Sequence, residues 1–407
     1  MQTAVESALL TETERAVMSV IHSQRETTRP EIGRALDLTK PTVSTAVAQL
    51  EKQGLVTAVS ARQGTLGRAA AVYGIAQSAG WLLGIDVGST RVKLLARGLD
   101  GARLASATRE LDEPHQGQRP NLLPAVQAEV AQVMKKLSAS YGPLRAVGIA
   151  LPRIIPEYLA QSSSGNSGRG HQLPEMLDAL SLPTGIPVLL ENNVNCAALA
   201  ELDRGVAAGH EDFVFLQVGV GIGSGIVADR KVLRGARGGA GEVSSLPTSW
   251  PARPRDDEFA LEHYLGSRLL LARCTASWDK ASGEAPDTVP TLFEYAQQGV
   301  PAAVSALAQH AQDIGQLALA LTAVVDPALI VLGGGVGQNP LLTEGVRAAV
   351  QRSKPYVEVH VSALGDEATV EGAVALTLDH ALWSLLGSHH PRKLDGRTTV
   401  LTTGQPQ

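Results

Sequence analysis

Apolar and polar positions in the first eighty residues recur with the period of short helices, then of strands. Ala16, Val17, Val20 and Ile21 share one face of a helix predicted over residues 12–22. Ile32 and Leu36 do the same for a second helix over residues 29–36, and Leu36-Asp37-Leu38 makes a turn. Thr39 is a natural N-cap for a third helix over about residues 40–53, with Pro41 in its first turn, where a missing N–H does no harm. Val43, Val47 and Leu50 pack inward at i, i+4, i+7, which leaves Lys40, Thr42, Ser44 and Thr45 outward. Gly54 ends this helix. Residues 55–59 then read as a strand, 62–68 as a glycine-flanked tip and 72–75 as the returning strand. The order matches a winged helix-turn-helix over residues 1–79, in which the third helix enters a DNA major groove by its N-terminal end and the wing meets phosphate or the minor groove. Lys40, Thr42, Ser44, Thr45 and Arg68 are the candidate DNA contacts. The alternative is a three-helix cap with no DNA role.

Downstream, strands alternate with helices, which predicts an α/β body. A strand over residues 81–87 turns at Gly88 into a second, from Val92 to about Leu95, and a third follows at about 103–109. Leu123, Val126, Val130 and Val133 mark a helix over 121–138. Buried strands are predicted at 147–152, 188–190, 213–218 and 226–228. A long helix over residues 301–325 presents Val304, Leu307, Ile314, Leu317, Leu319 and Leu321 on a broad apolar face and ends at Asp326-Pro327. Strand 328–332, helix 341–351, strand 357–361 and helix 369–386 complete the body. Residues 388–407 are polar and expected to fray, with His389 and His390 as solvated bystanders rather than metal ligands.

Candidate chemistry concentrates in glycine-dense turns. Residues 219–225 read Gly-Val-Gly-Ile-Gly-Ser-Gly between two apolar strands, and residues 234–242 carry four glycines or alanines in a row before Glu242. Such backbone can approach an anion or a sugar closely, and a carboxylate closing the loop can accept hydrogen bonds from a polyol; glycines alone also make ordinary hairpins and bulges. Asp86-Val87-Gly88-Ser89-Thr90 is a phosphate-binding hairpin or a plain polar turn. Residues 191–195, Glu-Asn-Asn-Val-Asn, lie at a strand-to-helix junction. Arg153, after Pro152, either binds an anionic ligand or pairs on the surface. The polar stretch 161–172 is a ligand lid or a surface loop.

These stretches jointly resemble the ROK family (repressors, open reading frames, kinases), whose fold belongs to the sugar kinase/actin superfamily. The segment TKPTVSTAVAQLEKQGLV with a following LGR is similar to the DNA reader of the family's repressors, which its kinases lack. The resemblance implies a two-lobed actin-like α/β body. Residues 80–190 would form lobe I, completed by the helix at about 369–387; residues 191–368 would form lobe II, with ligand and oligomer contacts; 388–407 would be a tail. It aligns Asp86, Gly88, Thr90, Gly219, Gly221 and Gly223 with nucleotide loops, and Asn192, Asn193, Glu242, Ser245 and Glu262 with sugar contacts, Arg153 standing where the family has glycine. In the kinases the position of Asn193 is an aspartate that takes the proton of the attacking hydroxyl. An amide has no basicity for that step, and losing a positioned base costs about 10²–10⁴-fold in rate. Val220 in place of threonine deletes a hydroxyl, and Ser224 in place of glycine is expected to crowd a phosphate. The nucleotide loops are therefore read as vestigial, with no catalytic residue. The family's zinc-binding cysteines are absent from residues 255–262, and Ser244-Ser245 stands where Gly-His is usual, so no metal and no cofactor are expected.

Composition adds limits. At 44% hydrophobic residues and a mean hydropathy of +0.04, the 407-residue chain suits a soluble protein of two or three domains. No segment reads as a membrane span or signal peptide, and two cysteines make no disulfide framework, so a cytoplasmic location is expected. A net charge of −5 argues against nonspecific coating of nucleic acid, and residues 25–68, with seven Lys/Arg against four Asp/Glu, are only mildly basic. The resulting expectation is a DNA-binding transcriptional regulator, a repressor of carbohydrate-related genes gated by a sugar or sugar derivative in the interlobe cleft. It would bind a double-stranded, inverted-repeat operator as a homodimer or homotetramer. The rival readings are a ligand-blind regulator with a degenerate pocket and a sugar kinase with an appended DNA module.

Overall fold

The computed structural model describes residues 10–63, 69–88, 90–111, 123–137, 140–155, 173–246, 260–279, 281, 283–390 and 398–404. They form two compact units: residues 1–191 with 373–407, and residues 192–372.

The first unit opens with α1 (Glu12–Gln24), β1 (Thr27–Thr28), α2 (Arg29–Leu36), α3 (Lys40–Lys52), β2 (Val56–Gln63) and β3 (Ala69–Ile75). Thr11 and Glu14 cap α1 reciprocally: the Thr11 N–H donates to Glu14 Oε2 at 2.8 Å and the Glu14 N–H to Thr11 Oγ1 at 3.3 Å. Val17, Met18, Ile21, Ile32, Val43, Val47 and Leu50 are all buried, so three amphipathic faces share one small core. β2 and β3 pair antiparallel, and β1 adds to β3. The wing strands are longer than the alternation predicts, because pairing continues through polar residues out to Gln63 and Ala69.

Next come β4 (Trp81–Val87), β5 (Arg91–Gly98), β6 (Arg103–Glu110), α4 (Leu123–Leu137), β7 (Leu144–Leu151), α5 (Leu173–Leu180) and β8 (Pro187–Asn192). β4, β5 and β6 form an antiparallel meander, and β7 pairs parallel to β4. Val126, Val130, Val133 and Leu137 of α4 bury against Trp81, Leu83, Ile85, Val92 and Leu94.

The second unit holds α6 (Asn193–Arg204), β9 (Phe213–Val218), β10 (Ile222–Ala228), β11 (Lys231–Val232), α7 (Ala260–Leu265), α8 (Ser267–Ala276), α9 (Val289–Gln297), α10 (Pro301–Val325), β12 (Leu329–Gly333), α11 (Pro340–Ser353) and β13 (Glu358–Val361). Its sheet runs β11-β10-β9-β12-β13, with β12 parallel to both neighbours. Successive strand residues point to opposite faces, and the sequence uses that. Phe213, Phe215, Leu329 and Val331 pack against α6, while Val214, Leu216, Ile330 and Leu332 pack with α7–α11. α10 is buried along Leu307, Ile314, Leu317 and Leu321, but Val304 is exposed and Leu319 only half-buried. A 25-residue helix cannot turn every apolar position to one sheet, because the buried stripe covers only part of its circumference.

Beneath α7 and α8 lies a polar cluster. Asp313 accepts from Tyr264 Oη at 2.8 Å, Arg273 at 3.0 Å and Gln309 Nε2 at 3.0 Å. Arg273 also donates to His310 Nδ1 at 3.2 Å. Burial and the neighbouring guanidinium push His310 down to about 4.

The chain returns to the first unit through α12 (Ala368–Leu386), and β14 (Thr399–Thr402) pairs antiparallel with β8, giving the sheet order β14-β8-β7-β4-β5-β6. The tail therefore does not simply fray. His389 Nε2 lies 2.7 Å from Glu12 Oε1, its carbonyl accepts from Ser19 Oγ at 2.8 Å, and His390 is buried 3.7 Å from Asp379. Both histidines are structural contacts rather than solvated bystanders. No helix among the described residues is long and apolar enough to cross a membrane.

Candidate functional site

The reader's α3 begins at Thr39, whose Oγ1 accepts from the Thr42 N–H at 3.5 Å and lies 2.8 Å from Thr42 Oγ1. That pairing turns Thr42 back onto the cap and leaves it half-buried with Ser44, while Lys40 and Thr45 stand exposed. Pro41, Ala48 and Gln49 share the exposed face, a neighbourhood that the helical spacing alone could have supplied. Arg68 lies outside the described residues. Arg62, at the near end of the wing, is paired to Glu31 at 3.0 Å, and Glu31 in turn accepts from the Thr28 N–H at 2.8 Å. Those bonds, the backbone one first, hold the Glu31 carboxyl below its ordinary range.

In the second unit the predicted ligand residues lie on elements that each pack against β10. Asn192 caps α6, its Oδ1 accepting from the Val194 N–H at 2.8 Å and the Asn195 N–H at 3.3 Å. One lone-pair face of Asn192 is thus spent on the helix, and Asn193, half-buried, opens the first turn. β10 runs beside this turn because it carries glycines: a Cβ on Gly225 would sit 2.9 Å from Ala198 Cβ, and one on Gly223 3.0 Å from Val194 Cγ2. These two glycines admit a helix against the strand. Gly221 faces α7, where an added Cβ would collide with the Glu262 carboxylate. Gly219 closes the hairpin, its N–H donating to the Gly221 carbonyl at 2.9 Å, and its own carbonyl accepts from the Ser267 N–H at 2.9 Å.

Ser224 is buried with Oγ bonded to the Gly241 carbonyl at 2.9 Å. Its hydroxyl ties β10 to the loop ahead of Glu242 instead of crowding a phosphate, which corrects the expectation from sequence. Glu242 is half-buried, Ser245 exposed and Ser244 buried. α7 packs on the turn Val243–Ser245, so Glu242, Ser245 and Glu262 fall on neighbouring elements. Burial raises the Glu262 carboxyl, and the adjacent His263 partly offsets it. Amide and carboxylate groups such as these can hydrogen-bond to hydroxyls.

The remaining predicted residues lie in the first unit. Asp86 sits opposite Lys93 across the β4–β5 pair, the Gly88 N–H donates to the Arg91 carbonyl at 3.0 Å, and Thr90 is exposed. Arg153 is half-buried just beyond β7, its N–H donating to the Leu151 carbonyl at 2.9 Å. No group of three or more potential metal ligands occurs among the described residues, and residues 247–259, where the family's cysteines would fall, lie outside them.

Comparison with known proteins agrees with both halves of this geometry. A model of the ROK family matches residues 82–380, and one of the MarR family matches residues 10–64. A xylose repressor of Caldicellulosiruptor bescii is 24% identical over 391 residues, 90% of this chain and 95% of that one. A beta-glucoside kinase of Klebsiella pneumoniae is 27% identical over 259 residues, 63% of this chain and 82% of that one. Among solved structures, a ROK family transcriptional regulator, homolog of the E. coli MLC protein, superposes with a TM-score of 0.68 at 19% identity, covering 92% of this chain and 98% of that one. The chain belongs to the ROK family, with a MarR-type winged helix ahead of its sugar-kinase-like body.

Proposed function

We propose that this protein is a transcriptional repressor of carbohydrate-related genes, released from its operator by a sugar or sugar derivative bound at Asn193, Glu242 and Glu262. The observation that carries this reading is the reader itself, a capped α3 with Lys40 and Thr45 exposed, joined to a ROK body. The similarity to xylose repressors over nine-tenths of the chain supports it. Two copies presenting two α3 helices require an inverted-repeat operator. The sugar releases DNA only if it binds the DNA-free arrangement more tightly than the DNA-bound one. Asn192, Asn193, Glu242, Ser245 and Glu262 of the second unit supply the hydroxyl contacts.

The similarity to a beta-glucoside kinase favours a second reading, phosphoryl transfer. Asn193 opposes it, since an amide cannot accept the hydroxyl proton. The deciding experiment measures binding to duplex DNA from around the protein's own gene at fixed salt, with and without a panel of sugars and sugar phosphates, beside ATP turnover on the same panel. Release by one compound without turnover is expected. Tight binding that no compound alters would identify a ligand-blind regulator, and turnover would identify a kinase.

A further inference from the structure

α7 is six residues long, and isolated helices below about 12–15 residues are marginal in water, so its place is set by its neighbours. Leu261 and Leu265 bury into the core, but apolar packing is non-directional and does not by itself fix a rotation. Two further sets of contacts do. On one side, α7 and α8 meet the β9–β10 turn. The Glu262 carboxylate lies over Gly221, where a Cβ would collide with it, and the Ser267 N–H reaches the Gly219 carbonyl at 2.9 Å. On the other side stands Tyr264. Two residues along a helix are about 200° apart, so Tyr264 and Glu262 project in nearly opposite directions. Whatever holds Tyr264 therefore aims Glu262.

Tyr264 is held at three points. Its hydroxyl donates to Asp313 Oδ2 at 2.8 Å, its carbonyl accepts from Arg273 Nη2 at 3.1 Å, and the Arg273 guanidinium lies 4.7 Å from its ring centroid. Arg273 Nη1 donates to the same Asp313 oxygen at 3.0 Å, so one ion pair serves hydroxyl and carbonyl together. The pair is itself backed from α10. Gln309 Nε2 donates to Asp313 Oδ1 at 3.0 Å, and Arg273 Nη2 donates to His310 Nδ1 at 3.2 Å. With side chains only 13% and 23% exposed, Asp313 and Arg273 are largely withdrawn from water. A buried ion pair adds little net stability, because desolvation offsets much of the attraction. What separates it from an apolar plug is direction: the planar guanidinium presents its donors in a fixed fork.

We infer that Arg273 and Asp313 are positioning residues: through Tyr264 they set the rotation of α7 and hold the Glu262 carboxylate over the β9–β10 turn, oriented for a sugar hydroxyl. The inference rests on the reading of Glu262 as a ligand contact; the anchoring of α7 stands on the hydrogen bonds alone.

The test compares the full-length protein with two variants. In Arg273→Met with Asp313→Leu, apolar side chains replace the ion pair, an exchange that often leaves stability unchanged. Tyr264→Phe keeps the ring and removes one hydrogen bond. Urea midpoints report the fold. The Glu262 carboxyl is followed across pH by carbon-13 NMR, its signal assigned by its absence in Glu262→Gln. In wild type burial holds this carboxyl above its ordinary range, with His263 as the partial offset. In the double variant it should titrate at lower pH, back toward that range, with the urea midpoint near wild type. Tyr264→Phe should move it the same way by less, and gives the same reading if the double variant unfolds. Calorimetry with D-glucose, D-mannose and D-xylose as probes supplies the second readout. A sugar that wild type binds should bind the double variant about tenfold or more weakly, as for one lost bond to a carboxylate. A Glu262 carboxyl that titrates alike in all three proteins, or an equal sugar affinity despite a moved titration, would overturn the positioning role. If no probe binds wild type, the sugar reading of the site fails, while the Glu262 titration still judges the anchor.

Discussion

His310 shows how neighbouring atoms set a protonation state. Its Nδ1 accepts from Arg273, which places the proton on Nε2, and Nε2 has no hydrogen-bond partner. A second proton would face a guanidinium in a buried site, so the folded pKa falls to about 4 against an ordinary value of 6.5. The folded state therefore binds fewer protons than the unfolded chain between those values. The stability tied to neutrality is complete above pH 6.5 and is lost as pH falls toward 4. Between pH 8 and pH 5 that loss is on the order of 2 kcal/mol. Urea titrations at the two pH values should show it, and His310→Gln should flatten the difference. Nothing in the linear sequence marks His310, since its partners come from α8, about forty residues away. Lys40, by contrast, was legible from cap and spacing. Lys40→Ala should weaken operator binding about equally across sequences and lower the slope of log affinity against log salt by roughly one, as expected for one lost phosphate contact.

At the scale of elements, periodicity located the helices and misjudged some glycines and faces. α10 begins and ends where Pro301 and Asp326-Pro327 say it should, yet Val304 and Leu319 are not core, because hydropathy alone does not say which arc the sheet covers. The run Gly219–Gly225 looks like a ligand loop throughout, but Gly223 and Gly225 are fixed by α6 lying against β10. Motif spacing cannot separate a glycine that admits a phosphate from one that admits a helix. Gly372 in α12 is of the second kind, since a Cβ there would run into the Cys196 carbonyl of α6. Gly372→Ala should cost about 2 kcal/mol or more through forced separation of the two helices, measurable as a lower urea midpoint with an unchanged slope.

For the whole molecule, the least legible part was the tail. Its polar composition predicts fraying, but β14 finds an open edge at β8 and His389 finds Glu12 on the reader. Both partners lie far upstream, where no local pattern announces them. A chain ending after Leu386 loses that edge strand and both His389 contacts. It should lose on the order of 2 kcal/mol from the first unit and show faster amide exchange in α1, with the second unit unaffected. The first unit is therefore interrupted by the second, leaving β8 and β14 about two hundred residues apart. At typical ribosomal speeds, that separation is roughly 10–40 s of synthesis. During that interval the reader has already emerged while the sheet next to it keeps a bare edge. The edge is covered only once β14 has emerged, so the first unit stays unfinished for as long as the second takes to be made.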